Sequence, residues 1–190
     1  VSTGEDRSAE LLAARRAGPV VVVPYDAAWP ARFAALRDRL HSIVGDAAIA
    51  IEHEGSTAVA GLAARPIIDV TIVVRAPAEL PDIIARLAAS GYVHVGDLGI
   101  TGREAFLARD ESDELHNLAV SPVGAVELQR HLTFRDALIA NAELADRYAR
   151  LKLELAAAYP HDLDGYIEGK TGFIKTVIAD ARNDSRSRKR

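Results

Sequence analysis

A glycine–serine turn followed by a single acid in an apolar run carries more chemistry than any other feature of this sequence. Gly55-Ser56 offers backbone N–H groups and a hydroxyl, donors that can hold phosphate oxygens. Thirteen residues after Ser56, Asp69 stands in the run 67–74, which is otherwise apolar except for Thr71. A strand carboxylate near such a turn can bind the Mg2+ that neutralises those oxygens, which is the logic of nucleotidyl transfer. The two-residue spacing of Asp69 and Thr71 places both side chains on one face of a strand. Two-metal chemistry needs several converging carboxylates, and a neutral threonine hydroxyl substitutes poorly for one. Glu52, Glu54 or another acid would then have to complete the set.

Fixed positive charge is the other requirement for holding phosphate. Arg65, Arg103, Arg135, Lys152 and Lys170 are the cations that could gather there, although any one alone reads as a surface charge. His53 and His116 are available as ligands or bases, but their spacing matches no zinc motif, and each reads first as a half-buried polar residue. Two glycine patterns fall short of nucleotide motifs. Gly96, Gly99 and Gly102 lack the dinucleotide-binding spacing and read as a turn-rich connection. In the stretch from Gly165 to Thr171 the glycines have three residues between them where a P-loop requires four, no strand precedes, and the surrounding pattern is helical.

The elements that must position these groups follow from hydrophobic period. Residues 20–23 form a β-branched run between Pro19 and Pro24, which predicts a short strand. Trp29, Phe33, Leu36 and Leu40 then recur at three- and four-residue steps, with Pro30 suiting a first helical turn and Gly45 an end. Residues 47–51 lead through Glu52-His53-Glu54 into the glycine turn, and 67–74 is the next strand. Leu80, Ile83, Ile84 and Leu87 form a second helical stripe, and strands are expected over 92–95 and 115–120. From Val126 to Ala158 helix formers dominate with a break near Asn141, and a last helix is expected over 163–181. The sum is a β-rich α/β (α+β) half followed by a helical half.

Composition narrows the functions open to the chain. Its 190 residues are 49% hydrophobic and 26% charged, enough for one buried core. Net charge is −4, so no overall positive field draws it to nucleic acid or anionic membranes, and neither is an expected partner. Zero cysteines exclude disulfides, thiol catalysis and thiolate metal sites. No run approaches the length of a membrane helix, and the first residues lack the layout of a secretory signal, so the cytoplasm is the expected compartment. The expected organisation is a mobile leader over 1–18 with one frayed helical turn near Leu11, a single domain over 19–182 whose helical part begins at about 126, and a flexible basic tail over 183–190.

Several ordered blocks also resemble a known family. Pro24-Tyr25-Asp26 with Trp29-Pro30, His53-Glu54-Gly55-Ser56-Thr57-Ala58-Val59, Gly61-Leu62-Ala63 and Pro66-Ile67-Ile68-Asp69 are similar to the GrpB family, also called UPF0157. Gly102-Arg103-Glu104-Ala105-Phe106, Phe134-Arg135-Asp136 and Tyr166 with Lys170 and Phe173 resemble its later blocks. The resemblance implies a nucleotidyltransferase-like mixed sheet flanked by helices, with a helical C-terminal region. The glycine–serine turn and strand acid described above supply its expected site, in which Asp69 and Ser56 are the catalytic candidates. Gly55, Ser56, His53, Arg65, Arg103 and Lys170 would bind a nucleotide or another phosphorylated small molecule, and Mg2+ would sit on Asp69, with Thr71 as a weak second ligand. The family pattern has an acid where this chain has Thr71, a proline at Ala60, a lysine at Arg65 and a histidine at Ala119. The family's domain also occurs fused to dephospho-CoA kinase. Two functions fit: Mg2+-dependent nucleotide binding with nucleotidyl transfer, or a non-catalytic ligand-binding or adaptor domain whose metal site has decayed. A third, an interaction module acting through the C-terminal helices, has no motif of its own.

Overall fold

Alternation along one strand organises the molecule, whose computed structural model describes residues 4–108 and 115–187. In β2 (Ile68–Val74), Ile68, Val70, Ile72 and Val74 face one side and are fully buried. They pack with Trp29, Leu36, Leu40 and Val44 of α2 (Trp29–Val44) and with Ile83 and Leu87 of α3 (Leu80–Ala89). Each such aliphatic side chain withdrawn from water contributes about 1.5–3 kcal/mol, so this face is the main core. The helical stripes read from the sequence are the ones that cover it.

The sheet has five strands among the described residues, in the order β1 (Ala50–Glu54), β2, β5 (His116–Pro122), β4 (Glu104–Ala108), β3 (Tyr92–Gly96). Only the β2–β5 pair is parallel. The expected mixed α/β sheet flanked by helices is therefore present, and so is the helical C-terminal region. That region comprises α4 (Val126–Ala140), α5 (Ala142–Ala158) and α6 (Leu163–Ser187). The break near Asn141 has a clear cause: its side-chain oxygen accepts from the Leu144 N–H at 3.0 Å and caps α5. A second core, formed by Val59, Leu62, Leu138 and Tyr148 with Phe134 and Phe173, joins these helices to the segment that follows Ser56.

Three expectations change. Residues 20–23 do not form a strand; Val23 makes a single antiparallel bridge with Ala64, its N–H and C=O each bonded at 2.9 Å. Prolines on both sides of so short a run leave it too few donors to extend a ladder. Where one frayed turn was expected near Leu11, α1 (Gly4–Ala17) has 14 residues, and residues 1–3 of the expected leader lie outside the described residues. The last helix continues past Ala181 to Ser187, taking in part of the expected basic tail, and 188–190 lie outside the described residues. The P-loop-like stretch lies within α6. A Cβ on Gly169 would overlap Leu155, and one on Gly165 would lie 2.9 Å from Tyr159 Cε1, so these glycines serve close packing.

Candidate functional site

The face of the sheet opposite the main core carries the acids. Antiparallel register sets Glu54 against Asp69 and Glu52 against Thr71, and parallel register sets Asn117 beside Asp69 and Ala119 beside Thr71. Residues paired across strands share a face, which gives two rows, Glu54–Asp69–Asn117 and Glu52–Thr71–Ala119. Thr71 is buried and Asp69 half-buried.

Gly55 ends the strand that brings in Glu54, with φ +68°. The left-handed region favours glycine, and here a second constraint applies. A Cβ at this position would overlap Oδ2 of Asp69 and lie 2.9 Å from its Cγ, so the carboxylate rests directly on the glycine. The other oxygen, Oδ1, accepts from Asn117 Nδ2 at 2.7 Å. Burial raises the Asp69 carboxyl above its usual range, and the Asn117 hydrogen bond opposes that shift.

Two lysines from the C-terminal helices reach the same place. Lys152 of α5 is 1% exposed; its Nζ donates to Ser56 Oγ at 2.9 Å and to the Ala63 carbonyl, and lies 4.7 Å from the Tyr148 ring centroid. Neither acceptor is charged. Burial, reinforced by the charge of Lys170, pulls the Lys152 amine down to about 7. Lys170 of α6 lies 4.2 Å from the Tyr166 ring centroid. Burial brings it down to about 8, with the Asp69 charge opposing and Arg65 assisting. Tyr166 is fully buried, and burial pushes its phenol up to about 12. Beside Ser56, then, two buried lysine amines and the Arg65 charge act on the same small region as the Asp69 carboxylate.

A separate polar chain borders it on α4. His131 Nδ1 bonds Glu54 Oε2 at 2.7 Å, and its Nε2 contacts Glu127 Oε1 at 3.1 Å. Burial alone would lower this imidazole, but the two carboxylates outweigh it and raise it to about 9. One turn on, Arg135 Nη1 donates to Glu52 Oε2 and to the His53 carbonyl, both at 2.9 Å.

Residues 19–180 match the family described as GrpB protein. The chain belongs to the GrpB family. It is similar to UPF0157 protein YqkA of Bacillus subtilis, at 36% identity over 89% of this chain and 49% of that protein, so it spans about half of YqkA's length. Glutamate-rich protein GrpB of Alkalihalophilus pseudofirmus is 31% identical over 85% of this chain and 95% of that one. The crystal structure of conserved protein GrpB from Enterococcus faecalis superposes with a TM-score of 0.78 at 31% identity, covering 87% of this chain and 99% of that one. The mixed, helix-flanked sheet of this GrpB-family chain is thus the one its family is expected to have.

Of the residues singled out from sequence, Asp69 rests on Gly55 next to Ser56, Lys152 joins them through Ser56, and Lys170 and Arg65 are near enough for their charges to act there. His53 is not. Strand alternation turns it to the core side, where its ring stacks on Phe33 at 4.3 Å and its Nε2 meets Thr57 Oγ1 at 3.0 Å. Burial, then the Arg135 charge, lowers it to about 4, so it is neutral at neutral pH. His116 also faces the core, 3.1 Å from the Tyr92 hydroxyl. Arg103 is half-buried, its Nε has no hydrogen-bond partner among the described residues, and its charge acts on Glu127. Sequence reading passed over His131, Glu127 and Asn117. The four-residue steps Glu127, His131, Arg135 are a signal that could have found the first two, since they share one helix face.

Proposed function

We propose that this GrpB-family chain binds a nucleotide or another phosphorylated small molecule together with Mg2+, in the cleft between the Asp69 face of the sheet and helices α5 and α6, and that it transfers a nucleotidyl group there. The observation that carries this reading is the meeting of Ser56, Lys152 and Lys170 with Asp69 at a glycine turn. Buried ammonium groups whose acceptors are neutral are costly, and a phosphate would supply the missing negative charge. In this reading Gly55 and Ser56 approach the phosphate oxygens, Lys152 and Lys170 balance them, and Arg65 adds to that field. His53 lies on the core side and reaches the acidic face only through its carbonyl, which accepts from Arg135, and Arg103 serves the Glu127 edge.

The donors on this face determine which metal fits. Asp69 is a hard oxygen ligand of the kind Mg2+ takes, but no group of three or more His, Cys, Asp or Glu suited to a metal exists among the described residues. The residues thus suit an ion that shares its coordination with ligand phosphates rather than one caged by protein. When bound, Mg2+ would neutralise charge on the transferred phosphoryl group. Thr71 favours a second reading: with a neutral residue beside Asp69, the site retains binding without transfer.

A thermal-shift panel with ATP, GTP, CTP and UTP, each with and without Mg2+, tests the proposal. Ligand at 100 times its Kd stabilises the native state by about 2.7 kcal/mol, a readily measured rise in Tm. A Mg2+-dependent rise in wild type, abolished by Asp69→Asn, is the expected result. No rise with any nucleotide would refute nucleotide binding. A rise without turnover would favour the non-catalytic reading.

A further inference from the structure

We propose that Glu54 supplies the carboxylate missing at Thr71, so that Glu54 and Asp69 hold a divalent cation from two neighbouring strands instead of from two positions on one strand. This rests on the metal reading given under Proposed function. Three observations carry it. The antiparallel register sets Glu54 directly across from Asp69 and on the same face. Glu54 is 3% exposed, and its Oε1 has no hydrogen-bond partner among the described residues. Its Oε2, by contrast, is fixed by His131 at 2.7 Å, and Glu127 holds the other side of that ring.

A buried carboxylate oxygen without a donor is an unusual cost for a fold to carry, and a cation is the partner that would satisfy it. His131 does what outer-shell groups do at metal carboxylates: it immobilises one oxygen and leaves the other to the ion. Paired across neighbouring strands on one face, the two carboxylates repel each other when nothing lies between them. A divalent ion would convert that repulsion into shared coordination. Glu52, the other acid on this face, is already spent on Arg135. Two carboxylates leave most of the coordination sphere to water and phosphate oxygens, as is usual for Mg2+.

The test uses Mn2+ as probe, followed by electron paramagnetic resonance on the full chain with and without ATP. Wild type is compared with Asp69→Asn, Glu54→Gln, Glu54→Asp, Glu52→Gln and Glu54→Gln/Thr71→Asp. The expected pattern is a loss of affinity of about tenfold or more in Asp69→Asn and in Glu54→Gln, and a change within about twofold in Glu52→Gln. Binding should return when Thr71→Asp is added to Glu54→Gln, a rescue that a merely structural Glu54 would not show. Should Glu54→Gln fail to fold, Glu54→Asp decides: drawing the carboxylate back by one methylene should weaken Mn2+ binding by about tenfold or more, and wild-type affinity overturns the proposal. Loss in Asp69→Asn with wild-type binding in Glu54→Gln overturns it while leaving the proposed function standing. No Mn2+ binding by wild type, with or without ATP, overturns the metal reading itself.

Discussion

Substituting Gly55 with alanine isolates the contact on which the site is built. Two costs arise in the folded state. An L residue held at φ +68° and ψ −168°, a combination nearly confined to glycine, costs about 1–3 kcal/mol relative to a relaxed backbone. The new Cβ must also displace the Asp69 carboxylate, with Cγ 2.9 Å away, at the cost usual for overpacking, about 1–3 kcal/mol. Alanine stiffens the unfolded chain and returns about 0.4–1 kcal/mol. The net expectation is destabilisation of about 3 kcal/mol, or a fall in Tm of about 6–12 °C for a domain of this size. Urea denaturation of Gly55→Ala, Asp69→Ala and the double variant separates the two causes. With the carboxylate removed, the Cβ has room, so only the backbone part should remain and a coupling of about 1–3 kcal/mol should appear. Equal cost in both backgrounds, with coupling under about 0.5 kcal/mol, would refute the claim that Asp69 rests on Gly55.

Lys152 predicts a pH dependence. Its amine titrates at about 7 in the fold against 10.5 ordinarily, so between those values the unfolded chain holds a proton that the native state does not. Stability therefore rises with pH through that window, and Lys152→Met should remove the rise, so that the urea midpoint of wild type gains on the variant from pH 7 toward pH 10. Ser56→Ala removes one acceptor from this buried ammonium and should cost about 1.5–3 kcal/mol by urea denaturation. Asn141→Ala deletes the cap of α5 and should cost about 1 kcal/mol, seen as a Tm lower by about 2–4 °C, with ligand shifts unchanged.

What the sequence disclosed was local in origin. The alternation in 67–74 correctly placed Asp69 and Thr71 on one face, because a strand's period is fixed by its own backbone. The helix break at Asn141 was equally legible, since a cap acts over three residues. Residues 20–23 misled because their β-branched composition was real, but pairing depends on a partner; Ala64 offers one bridge and no more. The Glu54–His131 bond joins positions 77 apart, and Lys152–Ser56 joins positions 96 apart. Such distances leave no periodic trace. His53 illustrates the reverse error: it stands next to Glu54 in a motif-rich segment, yet a one-residue step along a strand turns it to the other face.

The acids and the two lysines of the site come from distant parts of the sequence. Glu54 and Asp69 are on β1 and β2, whereas Lys152 and Lys170 lie on α5 and α6. A chain that has emerged from the ribosome as far as Asn141 carries every carboxylate of the two rows and Arg65, but neither lysine. Under the proposed function, capture of a phosphorylated ligand would wait until α5 and α6 had docked, and a chain broken before α5 would keep its acids and lose the site.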